Sequence, residues 1–225
     1  MTRTLFQDRR EAGRRLAIAL GQYAKDAPLV LALPRGGVPV AYEVAQTLNA
    51  PLDLLLVRKI GAPGHKEYGI GAVIDGAEPQ LVLNDEAIRI LAPSPDYIRT
   101  EMRREIIELE RRRSAYMGDR PPPELHGRTV IIVDDGIATG GTMKAALRGA
   151  RKYAPEKLIL AVPVAPAEVL AELRAECDDI VCLATPDPFF AVGAWYIHFD
   201  QTGDEEVKAL LCHAGQRSDH RADHA

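Results

Sequence analysis

Short, continuously apolar runs alternate with longer amphipathic stretches along most of the chain. The run at 28–34, PLVLALP, is typical of a strand that is covered on both faces, and 37–49 has the length of a crossover helix. Strands that alternate with helices pair in parallel, so the pattern predicts an α/β fold built on a parallel sheet. The predicted strands are 28–34, 52–60, 81–84, 129–134, 157–165 and 179–185, and the predicted helices are 7–24, 37–49, 85–91, 94–118, 142–153, 167–176 and 204–214.

Three segments depart from this alternation. Residues 61–80 are rich in glycine and charge, which predicts either a mobile loop or a loose hairpin, with a short strand at 72–74. Residues 187–199 are rich in aromatic side chains. The polar segment 215–225 is predicted to be a disordered tail.

Composition and charge narrow the class of protein. The chain has 225 residues, and 47% of them are hydrophobic, which is enough for one sizeable core. Its net charge is −4, whereas a general nucleic-acid binder is usually basic. No apolar run has the length of a membrane span, and the N-terminus is charged where a signal peptide is apolar, so a cytoplasmic protein is expected. The arginine cluster at 111–113 is interpreted as a solvated helix face or a subunit contact, because glutamates surround it.

The candidate chemistry lies in 130–143, VIIVDDGIATGGTM, where a predicted buried strand ends in two acids. Ligands of open parallel sheets bind beyond the carboxyl ends of the strands, which is where Asp134 and Asp135 are placed. Because the chain turns there, both carboxylates can reach one ligand. Two partners suit them: a vicinal diol, such as the 2′ and 3′ hydroxyls of a ribose, or a Mg²⁺ ion.

The loop after these acids consists of small residues and leads into a helix near Thr142. Its glycines allow backbone N–H groups to approach a ligand, and a helix N-terminus favours an anion. Thr139 and Thr142 add hydroxyl donors. The stretch has neither the lysine and spacing of a P-loop nor a G-x-G-x-x-G fingerprint. A diol site beside a monophosphate site matches ribose 5-phosphate, and a glycine turn without a ligand is the alternative.

VIIVDDGIATGGTM resembles the phosphoribosyl-pyrophosphate binding motif of the type I phosphoribosyltransferases, above all the adenine and orotate branches. DRREAGRRLA, LPRGGVPVA, VRKIGAPG and FFAVGAWYIHF resemble a group of stand-alone members of that family, a likeness that does not identify the acceptor. The resemblance implies that Asp134 and Asp135 hold the ribose hydroxyls, with Mg²⁺ bound mainly through the substrate. It also implies that the 5′-phosphate is held by the loop of Gly136, Ile137, Ala138, Thr139, Gly140, Gly141 and Thr142.

Two further segments match the family's pyrophosphate site. Arg35, Gly36 and Gly37 follow the first core strand, where the family has a pyrophosphate-binding loop that often contains a non-proline cis peptide. Arg58 and Lys59 match the basic residue that the family carries at the end of the next strand. The residues that the resemblance implies in catalysis are Arg35, Lys59, Asp134 and Asp135.

The resemblance also implies an architecture. It places a Rossmann-like parallel-sheet core at about 28–185 in a single domain at 1–214, with a small hood formed by the N-terminal helix and 186–214. Residues 61–80 would close over the site, and the chain would form a homodimer. In the hood, Phe190, Trp195 and Tyr196 either stack on the acceptor or pack against each other.

The implied activity is transfer of ribose 5-phosphate from phosphoribosyl pyrophosphate to a nitrogenous base, with Mg²⁺ as cofactor and pyrophosphate as product. Ala138 stands where the 6-oxopurine enzymes have an aspartate, which argues against those acceptors. Two alternatives stay open: a non-catalytic regulator that senses nucleotides or phosphoribosyl pyrophosphate, and a synthase or hydrolase that uses the donor without a base. Neither a membrane nor a nucleic acid is expected as a partner.

Overall fold

The computed structural model describes residues 4–222, without the side chains of residues 66, 67 and 217–222. The strands are β1 (Leu29–Ala32), β2 (Leu52–Leu54), β3 (Val57–Ala62), β4 (His65–Ile74), β5 (Gln80–Leu83), β6 (Thr129–Val133), β7 (Lys157–Val164) and β8 (Asp179–Ala184). The α-helices are α1 (Arg9–Ala19), α2 (Gly37–Leu48), α3 (Asp85–Leu91), α4 (Pro95–Met117), α5 (Gly141–Arg151), α6 (Ala167–Leu173) and α7 (Asp204–Ala222).

A parallel five-stranded sheet with the order β2-β1-β6-β7-β8 forms the centre of the molecule, which confirms the predicted α/β fold. Both faces of this sheet are covered by helices. Successive side chains of a strand point to opposite faces, so alternate residues of one strand belong to different cores. On β6, Ile131 and Val133 belong to a core shared with α1, α2 and α7, whereas Val130 and Ile132 belong to a core shared with α5 and α6. The central strand is therefore anchored on both sides, and its carboxyl end has a fixed position.

The predicted strand at 52–60 is wrong, because the chain changes sheets within it. β2 pairs in parallel with β1, whereas β3 begins a separate antiparallel sheet with the order β3-β4-β5. Between them, the backbone N–H of Leu56 donates to Asp75 Oδ1 at 2.6 Å, and its carbonyl accepts from the Asp75 N–H at 3.0 Å. A continuous apolar run does not reveal such a crossing. Of the two expectations for 61–80, the structure has the hairpin, formed by β3 and β4.

A buried ion-pair cluster joins both sheets to α4. Arg113 donates from Nη1 to Asp75 Oδ2 at 2.9 Å and from Nη2 to Asp53 Oδ1 at 2.8 Å. Burial raises the pKa of Asp75 to about 6, and the nearby charge of Arg113 opposes that shift. The interpretation of the arginine cluster as solvated is therefore wrong for Arg113, since its carboxylate partners come from distant parts of the chain. It holds for Arg111 and Arg112, which are exposed.

The last helix, α7, extends to Ala222, beyond residue 214 where the sequence predicted its end. The tail expected to be disordered from residue 215 is therefore helical as far as the description reaches, and residues 223–225 lie outside it. The segment contains glutamine, arginine and alanine, which support helix propagation from the packed part of α7, and one glycine is not enough to end it. Over residues 4–222, no helix has both the length and the apolar character needed to cross a bilayer.

Candidate functional site

The two loops that the sequence singles out lie side by side at the carboxyl edge of the sheet. β1 and β6 are paired neighbours, with Ala32 opposite Val133. Directly beyond them, the backbone N–H of Leu33 donates to the carbonyl of Val133 at 2.9 Å. The loop 33–37 and the acids that follow β6 are thus held together by the sheet itself. The Pro34–Arg35 peptide bond is cis, as the resemblance implies.

Glycine is required where these two loops touch. A Cβ atom at Gly36 would overlap the Asp135 carboxylate. A Cβ atom at Gly37 would lie 2.7 Å from the carbonyl oxygen of Val133 and 3.1 Å from Asp134 Oδ1. A residue other than glycine at position 37 would push the loops apart, because real side chains do not approach backbone atoms so closely, and one at position 36 would displace the Asp135 carboxylate.

The two carboxylates are not equivalent. Asp134 Oδ1 accepts a hydrogen bond from the Asp135 backbone N–H at 2.8 Å, and Asp135 Oδ2 accepts one from Arg9 Nε at 2.7 Å. Burial, together with the neighbouring charge of Asp135, raises the pKa of Asp134 well above its usual range. Burial also raises the pKa of Asp135, but the hydrogen bond and charge of Arg9 oppose it. Asp135 is therefore the member of the pair that Arg9 stabilises as an anion.

Arg9 is a site residue that sequence reasoning missed. It is the first residue of α1, its guanidinium lies over the Phe199 ring at 3.9 Å, and its Nη1 donates to the Asp200 carbonyl at 2.6 Å. Its side chain is only 12% exposed. DRREAGRRLA contributes to the family resemblance, but it contains four arginines. Only the fold shows that Arg9 is the one whose side chain turns toward the site.

Two of the three aromatic residues take the packing role that the sequence left open for them. Trp195 and Tyr196 are buried in a cluster with Phe6. The Tyr196 hydroxyl donates to the Asp135 carbonyl at 2.5 Å, which fixes the backbone of the motif from the hood side. Phe190 is 69% exposed and is the member of the three that a ligand could reach.

The predicted phosphate loop forms the N-terminal end of α5. The helix begins at Gly141, one residue earlier than predicted, and Gly140 before it has a φ of +76°, which favours glycine. Ile137 is buried and its backbone N–H donates to the Val164 carbonyl at 3.0 Å, so its side chain anchors the loop and is not available to a ligand. Ala138, Thr139, Gly141 and Thr142 are exposed. The result is an open surface of small residues at the start of an 11-residue helix, where anions bind favourably.

The basic residues predicted for this region differ in their placement. Arg35 Nη1 lies 3.4 Å from Asp204 Oδ1, and Arg58 Nε donates to Glu105 Oε2 at 2.7 Å. Arg58 also lines a small cleft that Pro34 and Thr142 share, which brings it between the two loops. Lys59 is exposed on the next position of β3, and adjacent strand side chains leave on opposite faces. Arg35 and Arg58 thus lie close to the two loops, and the roles of all three basic residues stay predictions.

Comparison with known proteins agrees with this arrangement. A family model described as "Phosphoribosyl transferase domain" matches residues 6–196. Two Mycobacterium tuberculosis proteins named "Putative phosphoribosyl transferase", from strains CDC 1551 / Oshkosh and ATCC 25618 / H37Rv, are 48% identical over 207 residues, which is 92% of this chain and 46% of theirs. The chain thus spans about half the length of these curated relatives.

A solved structure extends the likeness to three dimensions. The crystal structure of TT1426 from Thermus thermophilus is similar with a TM-score of 0.82 and 44% sequence identity, and the match covers 93% of this chain and 99% of that one. The resemblance drawn from the motif is confirmed, because the family model spans most of the chain and both loops of the site. The protein therefore belongs to the phosphoribosyl transferase domain family.

Proposed function

We propose that the protein transfers ribose 5-phosphate from phosphoribosyl pyrophosphate to a nitrogenous base and releases pyrophosphate. The observation that carries this proposal is the junction of three features at one sheet edge: the Asp134–Asp135 pair, the anion-binding start of α5, and the glycine loop at 35–37. A ribose with phosphates at two ends needs all three, because its hydroxyls, its 5′-phosphate and its pyrophosphate each require a partner.

The chain's own residues take distinct parts in this reaction. The loop from Gly136 to Thr142 binds the 5′-phosphate, and Asp134 accepts hydrogen bonds from the ribose hydroxyls. Asp135, which Arg9 holds in place, presents the second carboxylate to the ribose hydroxyls. Arg35 and Arg58 neutralise the leaving pyrophosphate. Positioning of this kind removes much of the entropic barrier to transfer.

The donor set suits magnesium bound together with the substrate. Among the residues that the structure describes, no group of three or more acids, histidines or cysteines could hold a metal. Mg²⁺ is commonly held by one or two carboxylates plus substrate phosphates, and Asp134 and Asp135 provide that much. When bound, the ion would supply charge neutralisation at the leaving pyrophosphate.

The proposed acceptor is a base that needs no acid at position 138. Ala138 is exposed in the loop, where the family's 6-oxopurine enzymes have an aspartate. Phe190 offers an exposed ring on the hood side for stacking. Closure of the hairpin in 61–80 over the bound donor would exclude water, which otherwise competes with the base.

The proposal is tested by calorimetric titration of phosphoribosyl pyrophosphate with Mg²⁺, followed by pyrophosphate release with a panel of bases. Gly141→Asp is the informative variant, because a Cβ there meets no atom within 4 Å, and an acid at a helix N-terminus does not harm the fold. Its charge should repel the 5′-phosphate and weaken binding at least about tenfold relative to Gly141→Asn, which has the same shape.

Each outcome of that test has a clear meaning. Donor binding that Gly141→Asp loses, together with base-dependent release of pyrophosphate, supports the transferase. Binding without release for any base favours the regulator, and release without a base favours a synthase or hydrolase. Absence of binding by the wild type contradicts the proposal.

Arg9→Gln should weaken the binding of phosphoribosyl pyrophosphate about tenfold, because Asp135 loses a charge-assisted hydrogen bond and its orientation. Without Arg9 the pKa of Asp135 should rise, so the pH at which binding reaches half its maximum should move upward. Titration over a pH series measures both effects. Arg10→Gln is the matched control, since Arg10 pairs with Glu43 on the surface. Equal behaviour of the two variants, or failure of Arg9→Lys to recover any affinity, would contradict a positioning role.

A further inference from the structure

A second group of cations surrounds a cavity on the other side of the glycine loop. The cavity, about 400 Å³ in volume, lies between that loop, α4 and α7. Its lining includes four basic side chains, Arg35, Arg111, Arg112 and Lys208, and one carboxylate, Asp204. The concentration of positive charge contrasts with the net charge of −4 on the whole chain. Neither the proposed transfer reaction nor the sequence motifs use Arg111, Arg112 or Lys208.

The acids that pair with these cations leave most of their donors free for a ligand. Arg111 and Arg112 share the single carboxylate of Glu108, and Lys208 pairs with Glu205 at 2.8 Å. Neither Glu108 nor Glu205 lines the cavity. Among the described residues, Arg112 donates only from Nε, so four of the five N–H groups of its guanidinium carry no hydrogen bond to protein. Exposed pairs of this kind contribute little and rearrange readily around a stronger anion.

One corner of the cavity already holds an anion of the protein itself. Asp204 accepts a hydrogen bond from the Tyr116 hydroxyl at 2.6 Å and lies 3.4 Å from Arg35. These partners hold the pKa of Asp204 below its usual range, the Tyr116 hydrogen bond first and the Arg35 charge after it. A phosphate oxygen placed nearby would meet the same hydroxyl and guanidinium donors.

We propose that this cavity is a second anion-binding site, which takes a small molecule bearing two or more linked phosphates. A single carboxylate or phosphate would leave most of the four cations without a partner, whereas a di- or triphosphate carries matching charge at several points. The volume lies within the range of about 300–1,000 Å³ that is typical of small-molecule sites. Arg35 also belongs to the glycine loop and Arg112 also lines the cleft that contains Arg58, so the second site adjoins the proposed donor site and shares these two cations with it, whereas Arg111 and Lys208 belong to the cavity alone.

The experiment is calorimetric titration of inorganic pyrophosphate and of inorganic tripolyphosphate into the wild type, the cavity variant Arg111→Gln/Lys208→Gln and the donor-site variant Arg58→Gln. Arg111 and Lys208 line the cavity and not the cleft beside the donor site, whereas Arg58 lines that cleft and not the cavity. The matched control is Arg99→Gln/Arg104→Gln, which also removes two exposed positive charges, both from α4 and outside the cavity lining. Thermal unfolding confirms that each variant is folded. The cavity variant should bind one equivalent of pyrophosphate fewer than the wild type, or bind it at least about tenfold more weakly, while the control and Arg58→Gln keep that equivalent.

The result separates this inference from the proposed function. Loss of the equivalent in the cavity variant alone supports the second site, whether or not the wild type binds phosphoribosyl pyrophosphate. The inference is overturned if the cavity variant binds as much anion as the wild type. It is also overturned if the control loses as much, since that would mean general attraction to a basic surface.

Discussion

Asp134→Asn should weaken the binding of phosphoribosyl pyrophosphate roughly 10- to 100-fold and, at neutral pH, stabilise the fold. Asparagine keeps an Oδ1 acceptor for the Asp135 N–H, which now lies 2.8 Å away, so the local structure has no reason to change. What disappears is a carboxylate that burial and the Asp135 charge make costly to ionise. Under the proposed function, the wild type retains this acid at the expense of stability because the ribose hydroxyls require a strong acceptor.

The stabilisation should depend on pH in a defined direction. The pKa of Asp134 is higher in the folded than in the unfolded chain, so its contribution favours folding at low pH and is lost as the pH rises. Wild type and variant should therefore unfold at similar temperatures near pH 4, and the variant should be the more stable one toward pH 8. Thermal unfolding across about this range of pH, with titration of the donor, measures both effects.

The control for Asp134→Asn is Asp96→Asn, which changes an exposed acid at the start of α4. It should alter neither donor affinity nor the pH dependence of unfolding. Wild-type affinity in Asp134→Asn would remove this carboxylate from the diol site. A variant less stable than the wild type at every pH would show that repulsion between the two acids is not the dominant cost.

Arg113→Ala should destabilise the protein by about 3–5 kcal/mol, the range for breaking a buried ion pair by removing one partner. Arg113 is 7% exposed and bridges Asp53 of the parallel sheet and Asp75, which follows the second sheet. Without Arg113, both carboxylates stay buried and lose the positive charge that offsets the cost of ionising them there. The loss should be measured as the free energy of unfolding in denaturant.

The destabilisation by Arg113→Ala should grow as the pH rises. The pKa of Asp75 is already raised to about 6 in the folded chain. Protonated Asp75 therefore favours the folded state, and this contribution is lost as the pH rises through about 6. Removing the opposing charge of Arg113 strengthens this dependence. Arg104→Ala, which breaks an exposed pair with Glu101 on the same helix, should cost less than about 0.5 kcal/mol at any pH. Equal losses in the two variants would contradict the bridging role.

The sequence predicted the parts of the site that depend on local order. The apolar run before Asp134, the small residues after it and the start of a helix near Thr142 are consecutive, so their chemistry could be inferred without the fold. The alternation of strands and helices predicted a parallel sheet, but it did not show that β1 pairs with β6, the pairing that brings Gly36 against Asp135. The family resemblance added the expectation of a pyrophosphate-binding loop at 35–37, and the cis peptide bond expected there is present.

The sequence could not show contacts between segments that are far apart along the chain. Arg9 reaches Asp135 across 126 positions, and no local pattern distinguishes it from its arginine neighbours. Arg113 has the charge of a surface residue, and its burial depends on two distant acids. The crossing from β2 to β3 at Leu55 and Leu56 is hidden because buried residues of either sheet are equally apolar.

The contact between Gly36 and the Asp135 carboxylate has a consequence for how this protein can vary. A side chain at position 36 would force the Asp135 carboxylate out of its place beside Arg9, so substitutions at the two positions should show strong epistasis. Gly36→Ala should be damaging alone and much less so in combination with Asp135→Gly, which vacates the space. Among related chains, the two positions should therefore co-vary as a pair, although they belong to different loops.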